Sequence, residues 1–454
     1  MNVSFFGELL QTIAERGRSL IGARERRGTD ATRSESLIEL CEHLLSGRGE
    51  ASGVALAREI LSRYAELTTG PRIAFFEALA QRFGPDAARM ESAVAAWREA
   101  PGDETAAEVH AASEPRRQEL FRRLNLAPGG TAALVRMREQ LMDALPHRDA
   151  DLGAVDDDFV HLFSSWFNRG FLVLRRIDWS TPAIVLEKII RYEAVHEIRG
   201  WDDLRRRIDP PDRRCYAFFH PALVDEPLIF VEVALTRDIA GAVAPILASE
   251  REIAEADKAR TAVFYSISNC QRGLTGVSFG SFLIKQVVEE ISRELPRLST
   301  FVTLSPVPAF AAWLKHERTE ENSTALTAAD KEQLAALDDP GWRFDAAKVE
   351  EVREPLMRAA AWYFLRARNK RGTPVDPVAR FHLGNGARLE RIDWMADESE
   401  KALAQGYGLM VNYLYDLGEI EKNHEAYAEG RVVVASNAVQ RYLRPPLELV
   451  PIAG

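Results

Sequence analysis

Cysteine is scarce. Cys41, Cys215 and Cys270 are the only three in 454 residues. Their odd number and wide spacing fit neither a disulfide framework nor a metal-ligand motif, so they read as free thiols in a reducing compartment. Long apolar runs are absent too, and none reaches the roughly 20 residues a membrane helix requires. The N-terminal stretch MNVSFFGELLQTIAERGRSL carries Glu8 and Glu15 within its apolar pattern. That pattern reads as an amphipathic helix and not as a signal peptide. The last four residues, Pro-Ile-Ala-Gly, differ from a peroxisomal Ser-Lys-Leu tail. The expected location is therefore the cytoplasm, with no membrane partner. An excess of positive charge is also missing: 58 Lys and Arg stand against 68 Asp and Glu, a net charge of -10. Such a balance argues against bulk nucleic-acid binding. It leaves room for small anions held by a local cradle of amides and a few Lys or Arg.

What is present divides into two halves. The length and a hydrophobic fraction of 46% suggest two domains. Up to about Asn168 the chain reads as helix after helix, over 3–16, 35–47, 52–66, 71–83, 86–99, 105–124 and 130–145. Apolar residues recur at three- and four-residue steps, as in Leu37, Leu40, Cys41 and Leu44. Gly70-Pro71, Gly84-Pro85, Pro101-Gly102 and Pro128-Gly129-Gly130 mark the stops. Strands appear after about Gly170. Cys215–Phe219 and Leu228–Leu235 flank a turn-like segment, 220–227, and read as an antiparallel hairpin. A charged stretch over 247–260 reads as helical. A strand over 261–268, a Gly-rich loop over 269–276, a helix over 277–293 and a strand over 300–304 follow, the last ending at Ser305-Pro306. The segment 315–347 reads as a surface insertion, and a long helix is expected over 347–367.

A hairpin followed by strand, glycine loop, helix and strand is the order of the acetyltransferase-like (GNAT) fold. The expected class is therefore α+β: an all-helical domain over 1–168, then a GNAT-like α/β catalytic domain over 169–454. In such a fold the loop and helix start hold the pyrophosphate of coenzyme A. Exposed N–H groups and the helix dipole favour an anion there, and Gly permits close approach.

A more specific resemblance lies in the run Phe264-Tyr-Ser-Ile-Ser-Asn-Cys-Gln-Arg-Gly-Leu-Thr-Gly-Val-Ser-Phe-Gly-Ser-Phe-Leu-Ile-Lys285. Thr303-Leu-Ser-Pro-Val-Pro308, Phe381-His-Leu-Gly-Asn-Gly386, Arg391-Ile-Asp-Trp-Met-Ala-Asp397 and Gly408-Leu-Met-Val-Asn-Tyr413 extend it. So do Gly170-Phe-Leu-Val-Leu, Glu193-Ala-Val-His196 and Arg214-Cys-Tyr upstream. Together these segments resemble the malonyl-CoA decarboxylases across the whole second half and, more loosely, the helical half. The resemblance implies conversion of malonyl-CoA to acetyl-CoA and carbon dioxide. It implies Ser305 as proton acceptor and His382 as proton donor. It implies a substrate loop of Thr275, Gly276, Val277, Ser278, Phe279, Gly280 and Ser281, with Tyr415 near the acyl group. It also implies a homo-oligomer, a tetramer in the family, assembled through the helical domain. One departure stands out: Gln271-Arg-Gly-Leu-Thr-Gly276 lacks the acetyltransferase phosphate-loop pattern, so the amides that meet each phosphate are left open.

The substrate's chemistry fits such residues. Loss of carbon dioxide from a malonyl thioester leaves a carbanion that the thioester carbonyl accepts as an enolate. Neither a metal nor an organic cofactor is obligatory. The protein must orient the breaking bond, place donors where enolate charge develops and deliver a proton to carbon. Ser305, at a strand end before Pro306, suits the first two tasks. His382 suits the third, carrying its proton near neutral pH. His220 is expected in a hairpin turn. His196, with Glu193 and Glu197, is expected as helix-surface charge. Arg272, Lys285, Lys370 and Arg371 are candidate phosphate contacts, each more simply read as solvated charge. Two other functions remain open: a GNAT acyltransferase using another acceptor, and a non-catalytic assembly protein.

Overall fold

Apolar periodicity in the first half folds as amphipathic helices. The computed structural model describes residues 30–46, 50–145, 152–277, 279 and 283–443. The helix expected over 3–16 lies outside them. The helices are Asp30–Leu45, Glu50–Ala65, Thr69–Arg82, Ala87–Glu99, Asp103–Ser113, Arg116–Asn125, Gly130–Ala144 and Gly153–Trp166. The single helix expected over 105–124 is in fact two. Pro115 lacks the N–H that would continue the first, and it serves as N-cap of the second. Phe121 stacks on Phe159 at 4.1 Å in the core of this unit. The unit runs to Leu172 and takes in two loops from further along the chain, His220–Val224 and Gln271–Phe279.

Among the described residues the second unit is built on one mixed sheet of eight strands. They are β1 (Val173–Ile177), β2 (Arg213–Phe219), β3 (Pro227–Thr236), β4 (Thr261–Asn269), β5 (Thr300–Thr303), β6 (Ser305–Pro306), β7 (Arg388–Asp393) and β8 (Met410–Leu414). Their order is β1-β2-β3-β4-β5-β8-β6, with β7 also paired to β8. β2, β3 and β4 are antiparallel neighbours, and β4 and β5 run parallel from Thr261↔Thr300 to Phe264↔Thr303. This is the acetyltransferase-like order expected from the sequence.

β2 is buried along its whole length, because helices cover both of its faces. Cys215, Ala217 and Phe219 alternate to one side, against Val185, Leu186 and Ile189 of helix Ala183–Tyr192 and Leu204 and Ile208 of helix Trp201–Ile208. Tyr216 points the other way, its hydroxyl donating to Glu294 at the end of helix Leu283–Glu294. All three cysteines are buried and free.

A further expectation fails. The stretch 247–260 is not a helix; a short turn at Ala256–Lys258 is its only regular piece beyond Leu247. Its charges have no apolar stripe beside them to bury. The 315–347 segment lies mostly at the surface, as expected, but it is ordered. It folds as short helices that bury Leu334, Leu337 and Trp342, and its Asp330 pairs with Arg358 of helix Ala346–Leu365.

Candidate functional site

β5 and β6 are separated only by Leu304, and both pair with β8. Val302 and Leu304 enter a core cluster with Val263, Tyr265 and Met410. Strand alternation therefore sends Thr303 and Ser305 to the opposite side, where the Ser305 hydroxyl donates to Thr303 Oγ1 over 2.9 Å. His382 arrives from helix Pro377–Gly384. Asp376 caps that helix by accepting from the Ala379 N–H at 2.8 Å, and Pro377 occupies the first turn, where its missing N–H costs nothing. The buried Tyr363 hydroxyl donates to the other Asp376 oxygen.

The two residues meet although 77 positions separate them. Ser305 Oγ lies 3.1 Å from His382 Nε2. On the far side of the ring, Nδ1 lies 2.8 Å from the Tyr415 hydroxyl. The Tyr413 ring stacks on the imidazole, 4.6 Å between centroids and 23° between planes. The Tyr413 N–H donates to Thr303 Oγ1 at 3.1 Å, and Asn412 Nδ2 donates to the Thr303 carbonyl at 2.7 Å. With the Ser305 proton given to Thr303, Nε2–H donates to Ser305 Oγ and the Tyr415 hydroxyl donates to Nδ1.

The site is dry. Ser305, His382 and Tyr415 are 5%, 2% and 1% exposed. Burial alone pushes the His382 imidazole down to about 3 and raises the Tyr415 phenol well above its ordinary range. Burial therefore favours the neutral imidazole, which sits between two hydroxyls.

The other expected residues divide as follows. Thr275, Gly276, Val277 and Phe279 lie in the first compact unit, whereas Ser278, Gly280 and Ser281 lie outside the described residues. Gly276 adopts φ +81, and a Cβ there would meet nothing within 4 Å. Tyr415 reaches the His382 nitrogen remote from Ser305. His220 sits in the hairpin turn and accepts the Ala222 N–H. His196 is not helix-surface charge. It is buried beyond the end of helix Ala183–Tyr192, 3.9 Å from Asp397, and burial lowers it to about 4. Arg272 pairs with Asp143 and Lys285 with Glu421; Lys370 and Arg371 are exposed. Thr303 and Tyr413 are additions that the sequence reading missed as participants. A Thr in a strand and a Tyr in a buried strand carry no local signal of a proton network.

A helical region followed by this mixed sheet, with a buried hydroxyl–imidazole pair at the break between β5 and β6, defines an α+β protein of the acetyltransferase-like class. Known proteins narrow it further. The chain belongs to the malonyl-CoA decarboxylase family: the family model of the C-terminal domain matches residues 170–450, and that of the N-terminal domain matches residues 83–167. It is 38% identical to the mitochondrial malonyl-CoA decarboxylase of Anser anser anser over 352 residues, 72% of this chain and 69% of that protein. The Mus musculus mitochondrial enzyme is equally similar, with 70% of its length covered. Crystal structures of malonyl-CoA decarboxylases align over 90% of the chain. That from Rhodopseudomonas palustris does so with TM-score 0.87, 59% identity and 99% of its own chain. That from Agrobacterium vitis does so with TM-score 0.85, 56% identity and 100% of its own chain.

Proposed function

We propose that this protein decarboxylates malonyl-CoA to acetyl-CoA, with Ser305 and His382 as the catalytic pair and Tyr415 as the group that exchanges a proton with His382. Family membership supports the reaction. The observation that carries the residues is the buried chain from Ser305 Oγ through both imidazole nitrogens to the Tyr415 hydroxyl. In the reaction the bond between the carboxylate carbon and the methylene carbon breaks. Its electron pair enters the thioester as an enolate, and neutral carbon dioxide leaves. Burial is the sole cause of the depressed His382 pKa, so no nearby charge of either sign shifts it. A carboxylate in such surroundings gains by dispersing its charge into the larger enolate. The Ser305 hydroxyl, turning from Thr303 Oγ1 to the substrate, supplies the hydrogen bond that follows this charge. One proton then passes to carbon from the Ser305–His382 end of the chain, and Tyr415 returns one to Nδ1. Neither imidazolium nor phenolate has to persist, and one solvent proton is consumed per turnover.

The loop at Thr275–Phe279 is read as the grip on the coenzyme A phosphates, continuing through Ser278, Gly280 and Ser281. Its support is the family resemblance and the open backbone at Gly276. The helical region, here taken as 1–168, is assigned the subunit contacts of a homo-oligomer, a tetramer. The cytoplasm is the proposed location, in keeping with three buried free thiols. No helix among the described residues is long and apolar enough to cross a membrane.

The test is carbon dioxide release from malonyl-CoA by the wild type, Ser305→Ala and His382→Asn. General acid–base groups contribute about 100- to 10,000-fold, so kcat is expected to fall by that order in both folded variants. Acetyl-CoA affinity should change far less. Near-normal turnover by folded His382→Asn would remove this residue from the mechanism.

A further inference from the structure

Behind the Gln271–Val277 segment stands a buried cation that the reaction does not use. Arg138, on helix Gly130–Ala144, is 3% exposed. Its Nη1 donates to two loop carbonyls, those of Gly273 and Thr275, each at 2.8 Å. Its Nε and Nη2 donate to the Asp156 carboxylate at 2.8 and 3.2 Å. The loop lies flat on the same helix: a Cβ on Gly273 would come within 2.1 Å of the Val135 carbonyl oxygen. Leu274 and Val277 are buried. A guanidinium that only joined two helices through Asp156 would have no need of two loop carbonyls.

The consequence follows from peptide geometry. In a trans peptide the C=O and N–H point in opposite directions. Drawing the Thr275 carbonyl onto Arg138 turns the Gly276 N–H away from the helix. The neighbouring amides are already used, Leu274 to Gln271, Thr275 to Arg272 and Val277 to Leu274. At Gly276 φ is +81, a conformation other residues adopt only with strain, and the space where a side chain would stand is open. The loop therefore presents an outward amide whose direction is set from behind.

We propose that Arg138 is a positioning residue for coenzyme A: it fixes the Thr275–Gly276 peptide so that its N–H faces the phosphate end of the substrate. This rests on the reading of the loop as the phosphate grip. Lysine keeps the charge, but a single ammonium cannot reproduce the fork that spans two carbonyls and a carboxylate.

The experiment compares wild type, Arg138→Lys and Gly273→Ala, the last of which pushes the same loop off the helix. Turnover is measured on malonyl-CoA and on malonyl-pantetheine, which lacks the nucleotide and its phosphates. Acetyl-CoA binding is measured by calorimetry and folding by thermal melts. The expected result is a rise on the order of tenfold in KM for malonyl-CoA and in acetyl-CoA Kd. With it, kcat should stay within about twofold and malonyl-pantetheine kinetics should not change. Should Arg138→Lys fold poorly, Gly273→Ala carries the test. Equal losses on both substrates, or an unchanged KM in folded variants, overturns the proposal. If the wild type itself handles malonyl-CoA no better than malonyl-pantetheine, the phosphate-loop reading falls, and this proposal with it.

Discussion

At the scale of single residues, His382 is governed by its burial. Its pKa falls from 6.5 to about 3 on burial. A depressed folded pKa means that acid protonates the unfolded chain first. The stability that neutral His382 contributes is therefore complete above pH 6.5 and is lost as pH falls from there toward 3. A tenfold change in proton affinity corresponds to about 1.4 kcal/mol. Denaturant melts from pH 7.5 down to 4.5 should show the wild type losing stability more steeply than His382→Asn, which has no such group. Equal slopes would mean that the folded site accepts the proton, and the neutral relay would then be wrong. Ser305 and His382 were legible as candidates through the short motifs around them, but the charge state was not. Desolvation depends on Tyr413 stacking on the ring and on Ser305 and Tyr415 closing off its nitrogens, and contacts across such distances in the chain leave no local pattern.

At the scale of elements, the helix Pro377–Gly384 shows how a short segment aims one side chain. Eight residues hold little helix stability of their own, so the cap matters. Asp376 is 1% exposed, and burial raises it from 3.8 to about 6 against the lowering effect of its hydrogen bonds. A raised folded pKa reverses the sign found for His382: this contribution is present below pH 3.8 and is lost as pH rises through 6. Asparagine keeps a capping oxygen and an acceptor for Tyr363 but cannot ionise. Asp376→Asn should gain about 2 kcal/mol on the wild type between pH 4 and pH 7, and Asp376→Ala should lie about 1 kcal/mol below Asp376→Asn throughout. A parallel pair of wild-type and Asn stability curves would overturn the assignment. The cap and Pro377 were readable as a helix start. Elsewhere the reading of elements went wrong for identifiable reasons. The charged stretch 247–260 has helix-forming residues but no apolar stripe to hold a helix against the core. Leu334, Leu337 and Trp342 lay too sparsely in 315–347 to announce that they pack.

At the scale of the whole molecule, two compact units divide the sequence unevenly. Unit 1 recruits Gln271–Phe279, and the linear change from helical to strand grammar near Gly170 could not show that. The strand order was more legible, because a hairpin and a strand–loop–helix–strand segment are both local in sequence. The placement of β8 between β5 and β6 was not, since it returns from more than a hundred residues away. The chemistry of the whole protein leads to a last prediction. Decarboxylation needs an electron sink, and the malonyl thioester carries one in its own carbonyl. In the proposed mechanism the enolate already receives a hydrogen bond from the Ser305 hydroxyl, to which a Lewis acid would only add. A divalent cation would also bring net charge into a pocket where burial is the sole cause of the shifted His382 pKa. Full activity is therefore expected after prolonged dialysis against EDTA and 1,10-phenanthroline, with no gain on adding back magnesium, manganese or zinc. The assay is carbon dioxide release from malonyl-CoA, with metal content followed by mass spectrometry. A loss restored by one particular metal would require a ligand in the reaction beyond Ser305, His382 and Tyr415, and the neutral relay could not then be the whole mechanism.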